Sequence, residues 1–183
     1  MKLFNALGLL VVVLIMIPNV FSMIKSKETF VNSGKITKGL DILETIGRIG
    51  SMTFIIINIP NTYFGYFMDD GKTIYILVNS LLICTYYLFW IIYIKKISVS
   101  KYTYLSVIPT CIFLFSGIMI VSIPLILCSV LFMITHVTIS IINSWELDSN
   151  SGKKKRLIRS IVISILIVIC IIVVSVFICQ MIK

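Results

Sequence analysis

Hydrophobic positions in this chain form long runs separated by short polar segments. Four runs, at residues 3–24, 49–68, 74–94 and 157–182, match the roughly 20 apolar residues that a membrane-spanning helix needs. A fifth run, residues 102–143, is too long for one crossing. A helix of about 40 residues reaches about 60 Å, whereas the hydrocarbon core of a bilayer is about 30 Å thick.

Pro124 divides the fifth run, because proline cannot continue a helix without losing a hydrogen bond. The division predicts spans over residues 103–121 and 125–143. The pattern as a whole therefore predicts an all-α integral membrane bundle with six transmembrane helices.

The predicted helices group into three parts. Residues 1–143 form a five-span bundle, residues 144–159 a basic cytoplasmic linker, and residues 160–183 an appended C-terminal transmembrane helix. Cleavage of the first span as a signal peptide is disfavoured, since its apolar stretch is long and no small-residue cleavage site follows it.

Composition supports the membrane interpretation. The chain is 59% hydrophobic and 13% charged, with mean hydropathy +1.11, whereas a soluble domain is about a quarter charged. The net charge of +9 could suggest nucleic-acid binding, but the polar segments are too short for a binding domain. Basic residues also collect in cytoplasmic loops, which is a sufficient cause.

The distribution of basic residues predicts the orientation. With six spans, residues 25–48, 95–101 and 144–159 share one side and hold 13 of the 16 basic residues. Fusing the fourth and fifth spans changes the division to nine against seven. Since cytoplasmic loops carry the excess of Lys and Arg, we expect a multi-pass protein of the cell membrane with both termini outside.

Residues 36–48 have helical periodicity. Ile36, Leu40, Leu43 and Ile46 recur at spacings of four and three, which places them on one helix face. The segment is either an amphipathic helix on the cytoplasmic surface or an extension of the second span.

His136 is the single histidine and lies near the middle of the fifth span. On a helical wheel, Ser129, Ser140 and Asn143 fall within about 40° of it, so the stripe should face the bundle interior. The stripe is either a titratable or ligand-binding site, or a neutral imidazole bonded to a neighbouring hydroxyl or carbonyl.

Asparagines supply the other polar groups within the predicted spans. Asn58 and Asn61 flank Pro60, which should kink the second span, and Asn79 lies in the third span. The amides beside the kink either bind a polar solute or pair with the backbone that the kink frees, and polar contacts between helices also stabilise membrane bundles. No acidic or basic residue lies well inside any predicted span, which disfavours carriers coupled through a buried carboxylate.

Other polar features predict neither a metal nor a cofactor. Asp69 and Asp70 are expected to be solvated in a turn, and the five cysteines lack the paired spacing of a zinc site. The linker carries basic residues that would contact anionic lipid headgroups. They are Lys153, Lys154, Lys155, Arg156 and Arg159.

Several short motifs are similar to those of a group of small multi-pass membrane proteins of Gram-positive bacteria. The motifs are Asn58-Ile59-Pro60 with Phe64-Gly65, Trp90 before Lys95-Lys96, Ile108-Pro109-Thr110 through Phe115-Ser116-Gly117-Ile118, and His136 through Ser140. The resemblance covers residues 1–143. It implies a bacterial membrane location and no particular activity.

Three functions are compatible with these features. The first is a non-enzymatic accessory, regulatory or immunity-type subunit that binds another membrane protein. The second is a small transporter or channel with a polar path along the second, third and fifth spans. The third is an intramembrane enzyme built on His136 with Ser129 or Ser140, although the sequence offers no group to orient the imidazole.

Overall fold

The structure, a computed structural model, describes residues 3–25, 38–93, 99–146 and 169. The regular elements in these residues are five helices, and no strand is present among them. The helices are α1 (Ala6–Lys25), α2 (Lys38–Ile56), α3 (Gly71–Tyr93), α4 (Val99–Met119) and α5 (Ile123–Glu146).

The helices run alternately up and down. α4 and α5 are antiparallel. Gly117 near the end of α4 lies beside Ile126 near the start of α5, and Ser106 in the first half of α4 bonds Ser140 in the last part of α5. The start of α1 joins the end of α2 through a hydrogen bond from Asn5 N to Ile56 O of 2.7 Å. One end of the bundle, which we call the loop end, therefore holds residues 3–5, 57–70 and 120–122. The opposite end, which we call the basic end, holds the helix termini that adjoin the predicted basic segments.

α4 is the central helix, and its side chains are buried on nearly all sides. Ile108, Ile112 and Phe113 of α4 are each at most 1% exposed. α3 and α5 pack on either side of α4, and α1 packs on α2 and α3. The apolar core thus surrounds one helix, which holds the polar groups of that helix away from the exterior.

The predicted break at Pro124 is confirmed, since α4 ends at Met119 and α5 begins at Ile123. Pro124 lies in the first turn of α5, where the missing N–H has no helical partner to lose. The turn reverses at Val121, whose φ is 45°.

The predicted helix over residues 49–68 is wrong in its second half. α2 ends at Ile56, and residues 57–70 form irregular structure at the loop end. Pro60 lies in a turn and kinks no helix, and Asn61 and Gly65 follow with φ values of 65° and 94°. Helical backbone cannot include such left-handed residues.

Backbone pairing stabilises this irregular segment. Asn58 N donates to Leu3 O at 2.8 Å, and Phe67 N donates to Met119 O at 2.9 Å. Ile123 N donates to Thr62 O at 3.1 Å. These bonds satisfy backbone groups that the interrupted helix leaves unpaired.

α2 carries two polar residues, Glu44 and Ser51, on the inside. Glu44, Gly47, Ser51 and Ile55, spaced by three and four, form its buried face. The large side chains on the opposite side are exposed by 44–59%, and they are Ile42, Leu43, Ile46 and Ile49. Lys38–Ile56 is a single helix, so residues 38–48 continue without a break into the apolar run that follows.

Among the residues that the structure describes, two helices are long and apolar enough to cross a membrane, namely Gly71–Tyr93 and Ile123–Asn143. Ala6–Phe21 and Thr103–Met119 are shorter apolar helices. The predicted C-terminal span and the basic residues Lys153–Arg159 lie outside the described residues, except for Ile169.

Candidate functional site

A carboxylate–imidazole pair joins α2 to α5 inside the bundle. His136 Nδ1 lies 3.2 Å from Glu44 Oε1, and the two residues are 92 positions apart in the sequence. Glu44 is only 6% exposed. Because a carboxylate can only accept, the hydrogen lies on Nδ1 and the imidazole donates. The contact is an ion pair whenever His136 is protonated.

Two further side chains surround the pair. Arg48, one turn along α2, places Nη1 3.7 Å from the same Glu44 oxygen, and 46% of its side chain is exposed. The ring of Phe132 lies against the His136 ring with centroids 4.8 Å apart. Glu44 is therefore buried beside a guanidinium that reaches solvent, which partly compensates its charge.

Two glycines allow α2 to approach α5 closely. A Cβ at Gly47 would lie 2.7 Å from Phe132 N, and a Cβ at Gly50 would lie 2.6 Å from Cys128 Sγ. Small residues at helix contacts permit such close backbone packing. The Gly47 and Gly50 positions thus fix the register that brings Glu44 to His136.

Buried hydroxyls continue the polar contact between α4 and α5. Ser106 Oγ bonds Ser140 Oγ and donates to the carbonyl of His136 at 3.4 Å. Thr110 Oγ1 donates within α4 to Val107 O at 2.8 Å. Ser129, on the same stripe of α5, is fully buried and donates to Ile126 O at 3.0 Å.

A second polar cluster lies between α3 and α4, nearer the loop end. Ser116 Oγ donates to Asn79 Oδ1 at 3.3 Å, and both residues are at most 2% exposed. Tyr75, one turn before Asn79, is 1% exposed. Its hydroxyl approaches Ser116 but not in hydrogen-bond geometry.

The residues of the predicted polar path are divided between the α2–α4–α5 contact and the α3–α4 cluster. His136 and Ser140 face α2 and α4 in the half of α5 toward the basic end. Asn79 contacts Ser116 of α4. Ser116 is ten residues, or about 15 Å along the helix, from Ser106, which bonds Ser140. Asn143 lies further along α5, partly exposed, and also makes a polar contact.

The amides predicted for the second span lie at the loop end. Asn58 is buried, Asn61 is exposed, and neither occupies a helix. The expected stripe along a second span is therefore wrong. Asn58 instead lines an open cleft of about 500 Å³ together with Asn5, Tyr63 and Lys72.

Glu44 is the site residue that the sequence pattern missed. It lies away from the apolar face predicted for residues 36–48, and a residue opposite the apolar face of a surface helix is expected to face water. Glu44 precedes the predicted second span, so no predicted span contains it, yet the structure buries its carboxylate against His136 of α5. The imidazole also has an orienting group, although the hydroxyls of Ser129 and Ser140 bond elsewhere.

The described residues contain no group of three or more His, Cys, Asp or Glu side chains placed to hold a metal ion. No family model, no curated protein and no solved structure matches this chain.

Proposed function

We propose that this chain is a multi-pass membrane protein of the bacterial cell membrane that acts as a non-enzymatic accessory, regulatory or immunity-type subunit. The proposal includes six spans, with both termini outside and the basic segments in the cytoplasm. In this proposal the protein acts by binding another membrane protein.

The observation that carries the proposal is the burial pattern of α2. Glu44 and Ser51 face inward, while Ile42, Ile46 and Ile49 are each more than half exposed. Covering one such side chain is worth roughly 1.5–3 kcal/mol relative to water. This arrangement is unfavourable in water and favourable where lipid or another apolar surface covers the helix.

Charges on α2 favour a protein partner over lipid alone. Lys38, Asp41 and Arg48 are exposed on the same helix as the outward isoleucines. Charged groups are costly within hydrocarbon, so these charges indicate that the first turns of α2 lie at or beyond the membrane surface, where lipid tails do not cover Ile42 and Ile46 and a protein interface would. The outer surface of α2, consisting of Ile42, Ile46, Ile49 and Arg48, is thus the proposed contact.

Native mass spectrometry after extraction in mild detergent tests the proposal. We expect a stoichiometric complex with one membrane protein, which is lost in Ile46→Asn. The matched control is Ile91→Asn on α3, where the side chain is 61% exposed and lies away from α2. A parent protein that is always alone, or a complex that survives Ile46→Asn, would contradict the proposal.

A second candidate, a small transporter, is favoured by the Glu44–His136 pair. Titratable groups buried among membrane helices commonly line proton or solute pathways. In vesicles loaded with a pH-sensitive dye, a transporter should move solute or protons, and both His136→Leu and Glu44→Gln should abolish the flux. Equal signals for empty vesicles and vesicles with parent protein would rule out this candidate.

A further inference from the structure

The cluster of Tyr75, Asn79 and Ser116 contains two buried polar groups that are not hydrogen-bonded. Ser116 Oγ donates a hydrogen bond to Asn79 Oδ1 at 3.3 Å. The Asn79 Nδ2 and the Tyr75 hydroxyl, both buried, have no hydrogen-bond partner among the described residues. Buried polar groups without partners cost free energy and are rare in folded proteins.

The two unpaired groups belong to neighbouring side chains of α3. Tyr75 and Asn79 are four residues apart on α3, so their side chains lie on the same face. Both face Ser116 of the central helix, and the ring of Tyr66 lies 6.0 Å from that of Tyr75. The apolar side chains Val78 and Ile112, both fully buried, belong to the surrounding core.

We propose that Tyr75 and Asn79 form a buried binding site for a small hydrogen-bond acceptor between α3 and α4. A phenolic O–H and an amide N–H₂ both donate, so the ligand must accept. Water and chloride share this chemistry, and either would satisfy both donors without a charged side chain. This site is separate from the Glu44–His136 pair and does not depend on the proposed partner contact.

The sign of the stability change in Tyr75→Phe tests the proposal. If the hydroxyl is unpaired, its removal relieves a cost and raises the melting temperature. If it holds a ligand, its removal lowers the melting temperature by about 2–4 °C for each lost bond. The control is Tyr86→Phe, which removes a hydroxyl that donates to Asn19 Oδ1 at 3.0 Å and should lower the melting temperature.

A bond within the protein must be distinguished from a bond to a ligand. We expect Tyr75→Phe to have the same effect in the parent and in a Ser116→Ala background. A melting temperature that rises in Tyr75→Phe would overturn the proposal. So would an effect that disappears with Ser116→Ala, because Ser116 would then be the partner of the hydroxyl.

Two measurements distinguish the sources of the ligand. Replacing chloride by gluconate should lower the melting temperature of the parent, but not of Asn79→Leu, if chloride is bound. If water is bound, the anion has no effect, and NMR cross-relaxation should connect the Asn79 side-chain amide protons to a long-lived water. Absence of both signals would overturn the proposal.

Discussion

Glu44 and His136 show how a single contact defines the interior of this bundle. The carboxylate is 6% exposed and has two basic neighbours, His136 at 3.2 Å and Arg48 at 3.7 Å. Removing one partner of a buried charge pair costs more than the pair itself contributes, because the remaining charge stays desolvated. Loss of the His136 imidazole should therefore lower the stability of the protein.

We expect His136→Leu to lower the free energy of unfolding by about 2–3 kcal/mol, since it leaves Glu44 with the partly exposed Arg48 alone. Glu44→Gln should cost less, about 1 kcal/mol, because the amide oxygen still accepts from the imidazole. Unfolding followed by intrinsic fluorescence in detergent measures both. The control Ile134→Leu is on an exposed position of α5 and should be neutral; a His136→Leu protein as stable as this control would contradict the account.

The spacing of polar residues in the sequence was sufficient to predict that the stripe containing His136 faces other helices, because Ser129 and Ser140 fall on the same side of the helix as His136. The same spacing argument failed for Glu44. Periodicity shows which residues share a face, but the direction that the face points depends on the medium outside, and α2 exposes its apolar face.

At the scale of elements, the glycines of α2 determine how closely it packs. A Cβ at Gly47 would meet the backbone of Phe132 at 2.7 and 2.9 Å, whereas a Cβ at Gly39, near the start of the same helix, meets nothing within 4 Å. Backbone cannot rotate away as a side chain can, so the α2–α5 interface must open to admit a methyl group.

The glycine pair provides a matched comparison. Gly47→Ala should destabilise the protein by about 1–3 kcal/mol through overpacking, despite the better helix propensity of alanine. Gly39→Ala should be neutral or slightly stabilising. Thermal unfolding of the two variants tests this, and equal melting temperatures would show that Gly47 is not at a close helix contact.

Helix boundaries were predictable wherever one strong signal dominated. The apolar run of α3 and the break at Pro124 are found close to their predicted positions. The end of α2 was not predicted, since an apolar run also covers Ile57–Pro60. Left-handed residues and pairing with residues 3–5, which is a contact distant in sequence, end the helix at Ile56.

At the scale of the whole molecule, the alternating helices place the termini that adjoin the three basic segments at one end. Orientation follows the Lys and Arg bias of such segments, so the loop end should face outward. A membrane-impermeant maleimide on intact cells should label Lys72→Cys and leave Lys38→Cys unlabelled, in a background where the native cysteines are replaced. Labelling of Lys38→Cys alone would reverse the proposed orientation.

The central claim is that α2 turns its polar and small-residue face toward α5 and its apolar face outward. Disulfide formation within native membranes tests it most directly. A Cβ at Gly50 would lie 3.1 Å from Cys128 Cβ, so a shift of about 0.4 Å brings the pair to the Cβ–Cβ distance of about 3.5–4.5 Å that a disulfide spans. In a background that retains only Cys128, Gly50→Cys should form an intramolecular disulfide on mild oxidation, seen as a linked peptide by mass spectrometry. Ile49→Cys, on the exposed side, should not. A disulfide from Ile49→Cys and none from Gly50→Cys would contradict the account, because α2 would then bury its apolar face.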